Sequence, residues 1–598
     1  MSLAQIDPPA GGAPLESLIP AVLVATALSA AVLVLALSHR RERTGALTRL
    51  AEGASRMSGG LPGWAALPAA VAGASLLVAV TGFYWDVATH IDDGRDDGPF
   101  ANAAHYLILL GLGGIAIGGL VAVVLGTDRP QATSVRLRPG WYVPSGGLMI
   151  LLCGVFALTG FPLDDVWHRL FGQDVTLWGP THVLMVAGAS LATLGVWALL
   201  VEGARARALE RPGAPSRVHW STRVRVASMA GAFLIGLSTL QGEFDFGVPQ
   251  FRLLFQPTLI MLAAGIGLVA ARVRLGPTGA LQAVAFFLVV RGVITVLVGP
   301  VLGHSTMHFP LYLAEAALVE LAALRIKADR PLTLGVVAGA LIGTVGLGAE
   351  WAWSHVWMPI AWPASLLPEA AVLGLVAAVA GGVIGAFVGD ALQGARAARP
   401  VAPRWAAPAA TLAALACVAY PLPIGGGAPA SAQIAVSAAG PDAVHATVTL
   451  SPRDSADGAA WLNATAWQGG GLQVDPLRRV ADGVYATVRP LPARGEWKSL
   501  IRLHRGNALN AIPIYLPPDD AIPAAGVPAI DSTRPFIADR EILQREATGE
   551  HAGLKVLAYV VLASIVAVWL AAMAWALARL SGTARGPTPR ATLSARTT

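Results

Sequence analysis

Charged residues are scarce in this sequence. Only 13% of its 598 residues are Asp, Glu, Lys or Arg, against about 25% in an ordinary soluble domain. Hydrophobic residues make up 55% of the chain, and the mean hydropathy is +0.60. This composition excludes a water-soluble enzyme, and it excludes a disordered chain, which would be poor in apolar residues. The class that remains is a polytopic membrane protein, with the lipid bilayer as its first expected partner.

Cysteine and lysine are nearly missing as well. The two cysteines, Cys153 and Cys417, lie inside apolar runs, so neither a disulfide framework nor a thiolate metal cluster is expected. Lysine occurs only at 327, 498 and 555, and the net charge of +6 therefore rests on arginine. We expect no nucleic-acid partner. Glycine (66) and proline (42) are abundant instead, as membrane helices tolerate.

Thirteen segments approach the roughly 20 apolar residues that a membrane-spanning helix needs. They lie near residues 17–38, 64–86, 100–126, 141–162, 178–201, 224–241, 257–271, 278–302, 309–325, 331–350, 368–391, 405–422 and 552–578. We therefore predict an all-α polytopic membrane protein of about 13 transmembrane helices arranged as hairpin repeats. About twelve of them would form a membrane domain over residues 1–425.

The loops between these segments alternate in charge. Arginine clusters in one set, as in 40–56 and 205–225, whereas the opposite short loops hold only Arg95, Arg169 and Arg252. The positive-inside rule then predicts an N-terminus outside and a C-terminus in the cytoplasm. We expect a multi-pass protein of a bacterial-type cytoplasmic (inner) membrane, in which residues 552–598 form the last transmembrane helix and a cytoplasmic basic tail.

Residues 433–518 change from helical to alternating periodicity. In 444–450, for example, every second residue is apolar, and Gly, Pro and Asp turns separate such stretches. The pattern predicts an extracytoplasmic C-terminal β-sandwich, joined to the last span by a linker over 519–551. The stretch 483–489, followed by Gly495-Glu496-Trp497, resembles the small immunoglobulin-like domains of exported copper-handling proteins.

The candidate metal-binding residues lie in an internal duplication. Two outward hairpins both follow D-x3-H-x5-D, and each adds a closing histidine after eight or seven further residues. The first copy consists of Asp86, His90, Asp96 and His105, and the second of Asp164, His168, Asp174 and His182. A four-part match at nearly fixed spacing is far more specific than a lone histidine.

Helix geometry predicts that the side chains of each repeat lie close together. An Asp and a His four residues apart lie on one face of a helix, and Pro99 and Pro180 mark where the next helix begins. Each hairpin would bring one carboxylate and two imidazoles together, a donor set that suits Cu, Zn or Fe. Asp96 and Asp174 are candidates for orienting a histidine. His304, His308 and Glu315 form a weaker candidate metal group.

The alternative is that each Asp–His pair only forms hydrogen bonds at a helix end near the lipid interface. Asp92, Asp93 and Asp97 have no counterpart in the second copy and are expected to be solvated loop charges. Arg291 lies in the middle of a span, so it needs an acidic partner, for which Glu315 and Glu320 on the next helix are the nearest choices.

At the repeated residues, the sequence resembles the C subunit of the copper membrane monooxygenases, the particulate methane and ammonia monooxygenase family. In that subunit an acid–x3–His pair ends one helix, and a second His about a dozen residues on begins the next. The resemblance covers about 100 residues, and the loops here are one or two residues longer. It implies copper bound by Asp86, His90 and His105 and by Asp164, His168 and His182. It also implies O2, a small apolar substrate, and assembly as a homo-oligomer or with other membrane subunits.

Two other functions stay open at this point. The first is copper acquisition or delivery without catalysis, in which the β-domain, with His445 and His504, exchanges metal. The small number of methionines, nine in all, argues against it, because Cu(I) handling favours Met-rich runs. The second is a transporter or scaffold whose histidines only cap helices, although transport predicts acids buried in mid-membrane on several spans.

Overall fold

The computed structural model describes residues 15–42, 45–95, 100–128, 133–172, 175–210, 220–393, 403, 405–422, 430–520, 522, 524–545 and 551–582. The helices within these residues are α1 Leu15–Arg40, α2 Ala46–Met57, α3 Gly63–Asp92, α4 Ala103–Val124, α5 Ser145–Phe171, α6 Pro180–Glu210, α7 Trp220–Ser238, α8 Gly242–Phe246, α9 Phe255–Leu275, α10 Gly279–Val296, α11 Leu313–Arg325, α12 Pro331–Leu341, α13 Leu347–Ser354, α14 Leu367–Gln393, α15 Ala406–Ala419, α16 Asp539–Leu543 and α17 Ala552–Gly582. The π-helical turns Leu297–Val301 and Ile342–Gly346 extend α10 and join α12 to α13.

Eleven helical segments of the described chain are long and apolar enough to cross a membrane. The multi-pass membrane protein is therefore confirmed, whereas the count of 13 is not. The two missing spans, 309–325 and 405–422, contain helices of only 13 and 14 residues, α11 and α15. Helix α15 ends before Pro421, as a following proline favours.

The late start of α11 has a local cause. The chain before it forms neither helix nor strand, and its backbone N–H groups at Leu311 and Tyr312 donate to the Glu350 carboxylate at 2.9 and 2.7 Å. Tyr312 then adopts a left-handed backbone, with φ of 54°. The buried carboxylate thus satisfies two backbone donors next to the helix start, where N–H groups have no acceptor within the helix.

Helices α3 to α6 pack as two consecutive antiparallel hairpins, and α3 also contacts α6. Small residues let these helices approach closely. A Cβ at Gly111 of α4 would lie 2.6 Å from the Cα of Ala79 in α3, and one at Gly154 of α5 would lie 2.7 Å from the backbone nitrogen of Ala116. Such close contact is typical of membrane helix interfaces. It fixes the two repeated hairpins against each other.

Arg291, in the middle of a predicted span, pairs with an acidic residue that was not among its predicted partners. Arg291 donates to Asp245 at 2.5 Å, and both side chains are almost fully buried. Glu320 instead binds Arg272 at 2.7 Å. The expected partners Glu315 and Glu320 were therefore wrong, because contact between distant helices, not sequence proximity, selects the acid.

A small hairpin, β1 Val135–Arg138 with β2 Trp141–Val143, precedes α5. The other strands of the described residues lie in the C-terminal region. They are β3 Ser431–Ala438, β4 Ala443–Ser451, β5 Trp461–Trp467, β6 Gln473–Pro476, β7 Arg478–Ala481, β8 Val484–Ala486, β9 Leu491–Pro492, β10 Lys498–Arg505, β11 Ala508–Tyr515, β12 Ser532–Pro535 and β13 Ile537–Ala538. These strands form two antiparallel sheets in the orders β13-β11-β10-β5-β6 and β12-β3-β4-β8-β7, with β9 beside β4.

The two sheets share one apolar core. It includes Ala446, Val448 and Leu450 of β4, as the alternation predicts, together with Ile501 and Ile512 of the other sheet. The sheets also extend beyond the predicted boundary at 518. Strands β12 and β13 lie inside the segment predicted as a linker and pair with β3 and β11.

The β-region is seated directly on the first repeated hairpin. The backbone N–H of Gln468 donates to the carbonyl of Ile91 at 3.0 Å, and that of Gly470 donates to the carbonyl of Asp92 at 2.9 Å. Arg95 forms an ion pair with Asp519. A shared apolar cluster fills the space between, including Tyr84 and Ile91 below and Trp467, Leu500 and Leu516 above. The β-region therefore covers the end of α3 that carries the repeat.

Candidate metal centres

The first centre is built at the facing ends of α3 and α4. Helix α3 continues to Asp92, so Asp86 and His90 lie one turn apart on the same face. Helix α4 begins at Ala103, where the Asn102 side chain accepts the Ala104 N–H at 2.9 Å and caps it. His105 follows in the first turn. The expected start at Pro99 lies outside the described residues.

These side chains converge on one carboxylate. The Nε2 atom of His90 lies 3.5 Å from Oδ1 of Asp86, and Nε2 of His105 lies 2.9 Å from the same oxygen. Asn102 donates to that oxygen through Nδ2 at 2.7 Å. Asn102 thus caps its helix and orients the carboxylate, a role that the sequence repeat did not indicate.

The second centre repeats the arrangement on α5 and α6. Helix α6 begins at Pro180, which confirms that prediction. Nε2 of His168 lies 3.6 Å from Oδ2 of Asp164, and Nε2 of His182 lies 3.5 Å from Oδ1. The Thr181 hydroxyl donates to Oδ1 at 2.5 Å. It takes the place that the Asn102 amide has in the first centre.

The geometry of both centres fits a metal ion. In each, one donor atom from the Asp and one from each His lie within 4.8 Å of one another. Ligands at bond lengths of about 2.0–2.1 Å in a tetrahedral site lie about 3.3 Å apart, close to the 3.5 and 3.6 Å separations of the Asp and His atoms. The 2.9 Å contact of His105 is shorter, so an ion would have to move this ring outward.

Hydrogen bonds fix the ring orientation of one histidine in each centre. Nδ1 of His90 lies 2.8 Å from the carbonyl of Gly94, and Nδ1 of His182 lies 3.0 Å from that of Thr176. A carbonyl only accepts, so Nδ1 carries the proton and a neutral ring turns its Nε2 lone pair toward the carboxylate. The Nε2 lone pair then faces the lone pairs of a carboxylate oxygen. This arrangement is stable only with a cation between the two atoms, either a proton or a metal ion. In addition, the buried Nε2 of His168 has no hydrogen-bond partner.

Residues distant in sequence support the two orienting carbonyls. Near the second centre, the buried Glu243 accepts from Oγ1 of Thr176 at 2.5 Å and from the Leu177 N–H at 2.7 Å. Near the first centre, the Gln468 side chain of the β-region lies against Gly94, whose carbonyl orients His90. The sequence repeat indicated this role for neither Glu243 nor Gln468.

Both centres open into one cavity of about 1550 Å³. Helices α1 and α3 to α7 form its wall, and Trp467 and Gln468 of the β-region contribute to the end near the centres. All six side chains of the two triads line it. The side-chain exposures of the triads range from 15% to 30%, so each of the six side chains is partly accessible.

The weaker candidates are not brought together. Nδ1 of His304 lies 3.3 Å from Oδ2 of Asp92, His308 packs on Trp357 at 4.8 Å between ring centres, and Glu315 is buried beside Gly346. Asp96 and Asp174, together with Asp97, lie outside the described residues.

Asp92 is not a solvated loop charge. It is only 3% exposed, and its carboxylate accepts from the backbone N–H of Ser305 at 2.6 Å and from the Ser305 hydroxyl. The prediction for this residue was wrong, because a loop distant in sequence folds over it.

Comparison with protein-family models, with curated proteins and with solved structures finds no match.

Proposed function

We propose that this chain is an integral membrane metalloprotein that binds copper at its two Asp–His–His centres and oxidises an apolar substrate. The observation that carries the proposal is the repeated triad, in which Nε2 lone pairs point at a carboxylate inside a shared cavity. The positive-inside rule adds that both centres face the extracytoplasmic side.

The donor chemistry favours copper. Imidazole with carboxylate suits Cu, Zn and Fe, whereas Mg and Ca prefer oxygen ligands alone, and copper binds such sites most tightly among the divalent first-row metals. Three protein donors leave a coordination position open, as catalytic metal sites do. A bound copper ion supplies oxygen activation. In hydroxylation of a C–H bond by O2, the second oxygen atom leaves as water, and an external donor provides the electrons.

The residues of the chain prepare the site for this chemistry. Asp86 and Asp164 balance the charge of an ion, and the carbonyls of Gly94 and Thr176 hold one imidazole of each centre in place. Aromatic rings limit the access of water. The Phe161 ring packs edge-on against His105 at 5.5 Å, and Trp167 is 4% exposed.

Copper delivery without catalysis is the second candidate, and one contact favours it. The β-region touches the first centre through Gln468, whose Nε2 lies 3.5 Å from the carbonyl of His90. The two histidines first considered for metal exchange do not line the cavity. His504 is buried against Trp461, with 4.4 Å between the ring centres, and His445 lies 3.2 Å from the Thr487 hydroxyl.

Spectroscopy on copper-loaded protein separates these functions. Catalysis predicts a tightly held Cu(II) with nitrogen hyperfine structure from two imidazoles, and O2 uptake that depends on a reductant and an apolar substrate. The matched H168A and H308A variants should differ, with only H168A losing the second copper signal. Rapid transfer of Cu(I) to a soluble chelator, without O2 uptake, would contradict the oxidoreductase and support delivery.

A further inference from the structure

The cavity that receives the two metal centres extends through the depth of the membrane domain. On α3 its wall runs from Ala69 to Ile91, a rise of about 33 Å at 1.5 Å per residue. The hydrocarbon core of a bilayer is about 30 Å thick. The triads lie at one end of this length, and Arg225 of α7 lies near the other.

Between the two ends the wall offers almost no polar contact. Apart from Ser29 of α1, five hydroxyl side chains line this stretch, and each donates its proton to a backbone carbonyl. They are Thr159, Ser190, Thr193, Ser228 and Thr239. The remaining wall consists mainly of Ala, Gly, Val, Leu and Ile. A molecule that fills this stretch must therefore be apolar along its length.

The cavity opens toward the bilayer along helix α1. It is held at its C-terminal end, where Ala36 packs against Leu47 and Val124 and Arg40 donates to the carbonyl of Gly126 at 3.0 Å. The cavity-lining residues of α1 all precede this attachment, from Pro20 to Val32. Acyl chains in the bilayer can therefore enter between α1 and the bundle.

We propose that the substrate of the metal centres is a long-chain membrane lipid or hydrocarbon, with its chain along the cavity and its reacting end at the triads. This inference rests on the proposed function and names its substrate class. The volume of about 1550 Å³ exceeds the roughly 300–1,000 Å³ typical of small-molecule pockets. A small substrate would leave most of the apolar length unused.

Photolabelling of the full chain in lipid nanodiscs tests the proposal. The probes are hexadecanol derivatives with a diazirine either beside the hydroxyl or at the chain end, and a diazirine butanol. The test variant is Gly113→Phe, because Gly113 of α4 lines the cavity and a Cβ there meets no atom within 4 Å. The matched control is Gly292→Phe on α10, which is equally open but does not line the cavity.

We expect both long probes to label wild type and the Gly292→Phe variant, with competition by unlabelled hexadecanol. The diazirine beside the hydroxyl should label near Tyr106, and the terminal one near Met229. Labelling of the Gly113→Phe variant should fall at least about tenfold. Equal labelling of both variants, or preferred labelling by the butanol probe, would overturn the proposal.

The experiment separates this inference from the metal function. Loss of long-chain labelling in the Gly113→Phe variant with unchanged metal content supports the lipid site on its own. If wild type holds no metal but the labelling pattern is as expected, the proposed metal function fails while the lipid-binding cavity stands. If metal is bound but labelling is unspecific, only the long-chain substrate is refuted.

Discussion

Removal of one hydroxyl beside the second centre should weaken that centre alone. Thr181 donates to Oδ1 of Asp164 at 2.5 Å and is 7% exposed. In Thr181→Val the side chain keeps its shape, but the carboxylate loses the donor that holds it toward His168 and His182. A hydrogen bond to a charged group contributes about 1.5–3 kcal/mol, or about 10–100-fold in affinity. Residues that support metal ligands typically contribute the same range.

The assay is competition with a chelator, followed by metal analysis of the protein. The His90→Ala background removes a ligand of the first centre, so the remaining affinity reports the second. The matched control is Thr193→Val on the same helix, because Thr193 is 3% exposed and donates to the carbonyl of Ser190 instead. Equal metal affinity of the two valine variants would refute the assignment of Thr181 to the centre.

Two further predictions concern the scaffold. Asp245→Asn leaves Arg291 buried without its counter-charge and should cost about 3–5 kcal/mol of stability. Thermal unfolding in detergent measures this loss, and Glu315→Gln should lose far less stability. Equal losses in the two variants would contradict the pairing of Arg291 with Asp245. In the β-region, burial lowers the pKa of His504 to about 3. Stability there should be full above pH 6.5 and fall by about 1.4 kcal/mol per unit between pH 6.5 and 3. Hydrogen exchange in β10 would report this fall, and His504→Phe should remove it.

The triads were predictable because their information is local. Asp and His four residues apart share a helix face wherever the helix forms, and a short hairpin returns the closing histidine to the same end. The membrane class followed from composition, and the strand pattern of β4 followed from alternation. In each case a short stretch of sequence determines which side chains face the same way.

The rest depends on contacts between distant segments. No spacing rule links Gln468 to His90, Asp245 to Arg291, or Ser305 to Asp92. Hydropathy counted 309–325 as a span, because it registers apolar residues but not the Glu350 carboxylate that stabilises an unwound start. The shared cavity likewise arises from how the helices pack, so the sequence of a single segment does not predict it.

Metal analysis of the purified chain decides whether the two triads hold metal ions. The alternative is that protons, not metal ions, lie between the imidazoles and carboxylates. We expect about two bound ions per wild-type chain, about one in His90→Ala and in His168→Ala, and none in the double variant. His308→Ala, outside both triads, should retain both ions. Equal metal content in wild type and the double variant would show that the two triads bind no metal.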